Sequence, residues 1–92
     1  MMTKEERAAW HLEYRQARQE FVNSLKDGPC ADCGNCFPPE AMDFDHMPGE
    51  KKFRGVANML SYALDRLMAE IEKCELVCSN CHRIRTKARL HE

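Results

Sequence analysis

The sequence predicts a small α+β domain that is preceded by an N-terminal α-helix. Apolar residues recur at helical spacing in the first 26 residues and again between residues 62 and 72. Two short segments, 41–46 and 74–77, have the character of β-strands. The 92 residues suffice for one domain, and we expect the N-terminal helix in residues 1–28 and the domain itself in residues 29–92.

The composition argues against several classes of protein. Charged residues make up 32% of the chain and hydrophobic residues 43%, which is typical of a soluble globular domain and not of a disordered or membrane protein. No apolar run approaches the roughly 20 residues of a transmembrane helix. The N-terminal residues 1–7 lack the apolar core of a signal peptide. We therefore expect a cytoplasmic protein without a membrane partner.

The N-terminal helix has a start signal, an apolar face and a stop signal. Thr3 followed by Glu6 has the pattern of a capping box. Five apolar residues recur every three or four positions, and we expect them to pack rather than to stack on nucleic-acid bases: Trp10, Tyr14, Ala17, Phe21 and Leu25. Turn-forming residues at 26–29 then predict that the helix, which starts at residue 4, ends at about residue 26.

The middle of the chain predicts loops around a first strand. Residues 29–40 contain a glycine and a Pro-Pro pair and are expected to form a loop or a tight turn. In the strand segment 41–46, Met42 and Phe44 lie on the same face. After a Met-Pro-Gly break, residues 50–60 are expected to form a basic, exposed loop.

The last third of the chain predicts a helix, a strand and a second helix. The helix over residues 62–72 follows from a stripe of apolar side chains: Ala63, Leu64, Leu67, Met68 and Ile71. The second strand follows directly, and Ser79 is expected to cap a final helix from residue 80 to about 89.

Six cysteines give the strongest chemical signal in the chain. Four of them form two Cys-x-x-Cys pairs about 45 residues apart, Cys30 with Cys33 and Cys78 with Cys81. This spacing predicts a closed, structural zinc site with four thiolates, while a redox dithiol or disulfides are the alternatives. Cys36 extends the first pair and is a competing ligand. Cys74 is expected to be a small core residue.

The charges are unevenly distributed along the chain. Residues 30–50 contain five acids and no lysine or arginine, whereas residues 51–92 contain nine lysines or arginines and five acids. An acidic pocket beside a basic segment suits a metal site that faces a phosphate backbone. Solvated surface charge is the alternative explanation.

Three further residues suggest chemistry. Asp45 and His46 are adjacent at the end of a predicted strand, so that a carboxylate that can hold a hard cation stands beside an imidazole that can accept a proton. His82 directly follows the last predicted zinc ligand and can hold a second ion together with Asp45. Each feature alone is common, but their combination with two cysteine pairs is not.

These motifs resemble those of the HNH endonucleases, in the small type found in bacteriophages and actinobacteria. The resemblance covers residues 29 to about 88. It is carried by Cys-x-x-Cys-Gly at 30–34, Phe-Asp-His at 44–46 and Leu-Val-Cys-Ser-Asn-Cys-His-Arg at 76–83. The family has a treble-clef-like ββα-metal fold, in which two strands and a helix hold one ion.

The resemblance implies a metal-dependent DNA endonuclease. His46 would be the general base, Asp45 and His82 would hold a catalytic Mg²⁺, Mn²⁺ or Ni²⁺ ion, and the four paired cysteines would hold structural zinc. Family products carry 5′-phosphate and 3′-hydroxyl ends. A bacterial or phage-infected host cytoplasm, and a partner such as a phage terminase or packaging protein, follow from the analogy alone. One site favours nicking unless two chains pair, and the oligomeric state stays open.

The sequence departs from the family at one position. The family asparagine that orients the base usually stands nine residues before the final histidine, where this chain has Lys73. Either a backbone carbonyl or Asn58 orients His46 in its place, or the activity is lower than is usual for the family. Asn80 is a further candidate, although its position in the second cysteine pair favours a helix-capping role.

Basic residues that follow these motifs are candidates for contacts with DNA phosphates. They are Lys51, Lys52, Arg54, Arg83, Arg85, Lys87 and Arg89. A non-catalytic zinc module that binds nucleic acid or protein would use the same cysteines and the same basic residues. Such a module has no need of Asp45, His46 or His82, and these three residues favour the nuclease.

Overall fold

A computed structural model of the chain describes residues 1–91 and contains three α-helices and a two-stranded antiparallel sheet. The helices are α1 (Lys4–Ser24), α2 (Leu64–Ile71) and α3 (Ser79–Leu90), and the strands are β1 (Met42–His46) and β2 (Cys74–Cys78). The predicted α+β class is therefore confirmed. The segment 29–92 predicted to form the domain extends one residue, Glu92, beyond the described residues.

Helix α1 begins with the predicted capping box but is buried only near its end. The hydroxyl of Thr3 accepts a hydrogen bond from the backbone N–H of Glu6, and the Glu6 carboxylate accepts one from the N–H of Thr3. Val22 is the buried residue of this helix. The prediction that the whole apolar stripe packs was wrong, because Trp10 is 51% exposed.

The two strands pair in a register that separates two kinds of side chain. Asp45 lies opposite Glu75, whereas Phe44 lies opposite Leu76. Because side chains alternate along a strand, Asp43 and Asp45 share one face of β1, and Met42, Phe44 and His46 share the other. The sheet therefore has an acidic face and an apolar face, and His46 stands at the end of the apolar one.

The hydrophobic core consists of two clusters. The larger one joins α1, α2 and the segment before α2, and its buried members are Val22, Val56, Met59, Leu60, Leu67 and Ile71. The smaller one is built by Cys30, Met42, Val77 and Cys78. Residues 50–60 were expected to be an exposed loop, but their second half forms a short 3₁₀ turn at Val56–Asn58 and contributes three residues to the larger cluster.

Helices α2 and α3 begin differently from the prediction. Helix α2 starts at Leu64 and not near residue 62. Helix α3 is capped by the sulfur of Cys78, which accepts a hydrogen bond from the N–H of Cys81. The hydroxyl of Ser79 instead donates to the carbonyl of Ala41 at 3.2 Å and so ties α3 to the start of β1. Ser79 was therefore the wrong cap.

We predict that Leu67→Ala lowers the free energy of unfolding by about 2–5 kcal/mol, because Leu67 is fully buried and its removal leaves a cavity. Leu64 lies in the same helix but is 47% exposed, so Leu64→Ala should change stability by no more than about 0.5 kcal/mol. Urea unfolding followed by circular dichroism compares the two. Equal losses would contradict this description of the core.

Candidate functional site

Four cysteine sulfurs converge where the loop between α1 and β1 meets the junction of β2 and α3. The Sγ atoms of Cys30, Cys33, Cys78 and Cys81 all lie within 4.8 Å of one another. Two sulfurs bound to one tetrahedral zinc ion at about 2.3 Å are roughly 3.8 Å apart. The cluster is therefore compatible with one zinc ion. Within residues 1–91, no other group of three or more histidine, cysteine or acidic side chains is as close.

Short backbone turns position these sulfurs. Gly34 donates a hydrogen bond to the carbonyl of Cys30 at 2.9 Å, and its φ of +76° is one that glycine adopts without strain. The N–H of Ala31 donates to the carbonyl of Leu76 at 2.9 Å and joins this turn to β2. The pattern Cys-x-x-Cys-Gly thus has a direct structural basis, since the glycine closes the turn.

The electrostatics of the cluster favour a bound cation. Burial raises the pKa of Cys30, but hydrogen bonds from the backbone N–H groups of Cys33, Cys78 and Asp32 outweigh it and lower the pKa to about 6. The pKa of Cys81 is raised to about 12, first by its hydrogen bond with Cys78 and then by burial. Several thiolates at this separation repel one another, and a divalent cation removes that repulsion.

Neither the disulfide alternative nor Cys36 as a competing ligand finds support in this geometry. All six cysteines are free thiols, so no disulfide framework is present. Cys36 is exposed and does not belong to the cluster. Cys74 packs partly buried against the larger core cluster, as predicted, and burial raises its pKa to about 11.

A second group of side chains lies between the acidic face of β1 and helix α3. The Nε2 atom of His82 is 3.4 Å from Oδ1 of Asp45, and its Nδ1 atom is 3.0 Å from Oδ2 of Asp43. A carboxylate only accepts hydrogen bonds, so Nδ1 donates to Asp43. The Nε2 atom faces the Asp45 carboxylate as an N–H donor in a protonated ring, and it offers a lone pair to an ion only in a neutral ring. A histidine held by a carboxylate in this way is a common arrangement for a metal ligand.

Asp45 also has two arginine partners. Arg85 Nη1 is 3.0 Å and Arg89 Nη2 is 2.7 Å from Oδ2 of Asp45, which is 5% exposed. Hydrogen bonds from Arg89 first, and then from Arg85, lower the pKa of this carboxyl to about 2. Asp45 and His82 are close enough to share one ion. Such an ion would compete with the arginines for Asp45, and Arg89 has the more exposed side chain of the two.

His46 is held by a carboxylate that the sequence analysis did not single out. Its Nε2 atom is 3.0 Å from Oε2 of Glu70, which is only 3% exposed. The same oxygen accepts the N–H of Phe53 at 3.0 Å, and Oε1 accepts Lys73 Nζ at 2.7 Å. The hydrogen bond from Lys73 is the main cause that lowers the pKa of Glu70 to about 2, followed by that from His46. Glu70 is therefore a buried carboxylate with three donors.

Among the described residues, the His46 ring has no hydrogen bond to any expected substitute for the family asparagine, whether a backbone carbonyl, Asn58 or Asn80. Asn58 and Asn80 are both exposed, and neither has a hydrogen bond to the His46 ring within residues 1–91. The cap of α3 is Cys78, so the capping role expected for Asn80 was wrong as well. A signal for Glu70 did exist in the sequence, because residues 67, 70 and 71 share one helical face and an acid in that apolar stripe is unusual.

One cavity adjoins both groups of side chains. It has a volume of about 300 Å³, and Asp43, Asp45, His46 and His82 line it together with Lys52 and apolar residues of the larger core cluster. Asp45 and His46 point to opposite faces of β1, so a cavity that both reach must lie along the edge of β1 that does not pair with β2. His46 and the pair formed by Asp45 and His82 therefore border the same space.

The basic candidates for phosphate contact divide into two groups. Six of the seven are exposed, and five of these form no ion pair among the described residues: Lys51, Lys52, Arg54, Arg83 and Lys87. Arg85 is instead held between carboxylates, with Nε and Nη2 both 2.6 Å from Asp32 in a bidentate pair and Nη2 also bound to Glu75. Arg89 is bidentate to Asp45. The first group is available to a phosphate backbone, whereas Arg85 and Arg89 form ion pairs with carboxylates in and beside the site.

We predict that Cys81→Ser removes zinc and lowers the free energy of unfolding by several kcal/mol. Zinc binding supplies about 10–16 kcal/mol of folding energy in small zinc domains. Cys36→Ser is the matched control and should keep both zinc and stability, because Cys36 is exposed outside the cluster. Elemental analysis and thermal unfolding measure the two quantities. A folded, reduced wild-type protein without zinc would contradict the assignment.

We also predict that Arg85→Ala lowers the free energy of unfolding by about 1–3 kcal/mol, because it leaves the nearly buried Asp45 with one arginine instead of two. Arg83→Ala, two positions away on an exposed part of α3, should cost no more than about 0.5 kcal/mol. Denaturant unfolding decides between them, and the reverse order would show that the ion pairs around Asp45 contribute nothing.

Comparisons with known proteins give no relative for this chain: no family model matches it, and no match was found among the curated proteins or among the solved structures. Within residues 1–91, no helix has the length and apolar character that crossing a membrane requires. The protein has a small α+β fold with a four-cysteine cluster that is compatible with zinc binding.

Proposed function

We propose that this protein is a metal-dependent DNA endonuclease of the HNH type, with a structural zinc ion in the four-cysteine cluster. The observation that carries the proposal is the shared cavity. It brings His46, a histidine fixed by a buried carboxylate, to the same space as the pair formed by Asp45 and His82. A general base and a site for a divalent ion are the two components that phosphodiester hydrolysis requires.

In the proposed reaction, His46 accepts a proton from a water molecule. The water oxygen forms a bond to phosphorus, and the bond between phosphorus and the 3′ oxygen breaks. The leaving oxygen takes up a proton from solvent, which gives 5′-phosphate and 3′-hydroxyl ends. A bound Mg²⁺, Mn²⁺ or Ni²⁺ ion would neutralise the charge that grows on the leaving oxygen.

Asp43, Asp45 and His82 have separate roles in this proposal. Asp45 and His82 would hold the ion, and Asp43 keeps the Nε2 lone pair of His82 directed towards Asp45. Carboxylate and imidazole ligands together suit Mn²⁺ or Ni²⁺ at least as well as Mg²⁺. The ion would compete with Arg89 for Asp45, so its binding is expected to release that arginine from the carboxylate.

Exposed basic residues near the cavity support DNA as the substrate. Lys52 lines the cavity, and Lys51 and Arg54 are close to Lys52 in the sequence. Arg83 and Lys87 are exposed on α3. Contacts from these side chains to phosphates would position the backbone without reading its sequence. The cytoplasm of a bacterium or phage-infected host, and a terminase or packaging partner, belong to the family analogy on which this proposal draws.

One observation favours the alternative of a non-catalytic zinc module that binds nucleic acid or protein. Both oxygens of Asp45 accept hydrogen bonds from arginines, so the acid is already neutralised without an ion. A module of that kind would need the ion pairs only for stability. The hydrogen bond from His46 to the buried carboxylate of Glu70 suits a general base that faces the shared cavity, and for this reason we prefer the nuclease.

We predict that purified protein nicks supercoiled plasmid with a divalent ion and that His46→Ala lowers the rate by about 10²–10⁴-fold, the loss expected for a general base. His82→Ala should also stop cleavage, but excess Mn²⁺ should restore part of its activity and none of that of His46→Ala. Zinc content and DNA affinity should stay unchanged in His46→Ala.

His11→Ala serves as the control, since His11 is exposed on α1 and does not line the cavity. If the wild-type protein cuts no DNA with Mg²⁺, Mn²⁺ or Ni²⁺, the binding module is the better description. If His46→Ala cuts as fast as the wild type, His46 is not the base.

A further inference from the structure

Glu70 is a charged side chain in a position where charge is costly. It belongs to α2 between Leu67 and Ile71, both of which are buried in the larger core cluster, and it is itself 3% exposed. An ionised carboxylate withdrawn from water is tolerated only when it is paired and hydrogen-bonded. The partners of Glu70 therefore explain why an acid occupies this place.

Its three donors approach from three different segments. Lys73 belongs to the turn after α2, Phe53 to the loop after β1, and His46 to the end of β1. Lys73 Nζ also donates to the carbonyl of Lys51 at 3.0 Å, and the N–H of Met47 donates to the carbonyl of Lys73 at 2.9 Å. Glu70 and Lys73 together fix the loop that follows His46.

The hydrogen bond between Glu70 and His46 determines which ring nitrogen carries the proton. Glu70 accepts from Lys73 and from the Phe53 N–H, so it is ionised and has no proton to donate. The Nε2 atom of His46 must then be the donor. A neutral ring with its proton on Nε2 leaves Nδ1 with a free lone pair.

We propose that Glu70 is the positioning residue of His46: its buried carboxylate holds the ring as the Nε2–H tautomer, so that Nδ1 is the atom that accepts the proton from water. The inference rests on the proposed function and names the group that does the work of the family asparagine. Once His46 is protonated, the adjacent carboxylate also stabilises the imidazolium. Lys73, at the position of that asparagine, acts through Glu70 and not on the ring.

A purely structural role is the competing explanation, because Glu70 also anchors the loop through Phe53 and Lys73. The tautomer of His46 distinguishes the two. Nitrogen-15 chemical shifts of the four histidine rings, recorded on the zinc-bound, full-length protein with neutral rings, report which nitrogen is protonated. The His46→Ala spectrum identifies the His46 signals. We expect one tautomer with the proton on Nε2, a result that needs no Glu70 variant to fold.

Variants test the catalytic consequence. Glu70→Gln keeps the length of the side chain and one acceptor oxygen but removes the charge. We expect its single-turnover cleavage rate to fall by about 10- to 100-fold or more, the range for partners of functional histidines, with the Kd for DNA changed by less than about threefold. Glu72→Gln is the matched control, because Glu72 is exposed at the end of the same helix.

The two measurements fail separately. A His46 ring protonated on Nδ1, or averaging between tautomers, overturns the role of Glu70 even if the protein cuts DNA. A Glu70→Gln variant that folds and cuts like the wild type overturns it as well. If the wild type cuts no DNA while His46 is a single Nε2–H tautomer, the nuclease proposal fails and the positioning of the ring by Glu70 stands.

Discussion

The convergence of four cysteine sulfurs is the constraint on which the rest of the structure depends. It joins the loop after α1 to the point where β2 passes into α3. His82 immediately follows one of these cysteines and belongs to the first turn of α3, so its distance from β1 is fixed by the same junction. Residues 1–91 contain only ten buried hydrophobic residues, and four of them form the smaller cluster, which includes Cys30 and Cys78. The protein therefore has few other means of holding that helix against the sheet.

The site contains the same arrangement, a histidine hydrogen-bonded to a carboxylate, on each of the two faces of β1. On the acidic face, Asp43 holds His82 through Nδ1, and Nε2 lies 3.4 Å from Oδ1 of Asp45. On the apolar face, Glu70 holds His46 through Nε2 and leaves Nδ1 open. Two histidines that are each hydrogen-bonded to a carboxylate therefore border one cavity, and Glu70 in addition accepts hydrogen bonds from Phe53 and Lys73. In the proposed function, His82 would bind an ion on one side of β1 and His46 would accept a proton on the other.

The sequence predicted those features of the structure that depend on residues close together in the chain. The cysteine pairs, the capping box and the register of polar and apolar residues in β1 all follow from neighbours in sequence, and the structure places them as expected. The roles of Asp43 and Glu70 could not be predicted from spacing, because each is defined by a histidine 39 or 24 residues away. The burial of residues 56–60 was missed for the same reason, since a short apolar segment carries no periodic pattern.

The amphipathic pattern of α1 shows the limit of periodicity. It predicts a face but not what covers that face, and here the core reaches only the last turns of the helix, near Val22. Trp10 stacks on Tyr14 within the helix, with Arg18 over the tyrosine ring, and remains half in contact with solvent. The chain is correspondingly elongated, with extents of 52 × 27 × 22 Å.

This placement of Trp10 has a consequence for spectroscopy. Trp10 is the single tryptophan of the chain, so it dominates the intrinsic fluorescence, yet it sits three turns before the part of α1 that touches the core. Its emission reports the fraying of the free end of that helix and responds little to the packing around Leu67 or to the cysteine cluster. A fluorescence transition recorded at low denaturant would thus describe a local event, while the tyrosine at position 62, packed against the larger core cluster, is the better optical reporter of global unfolding.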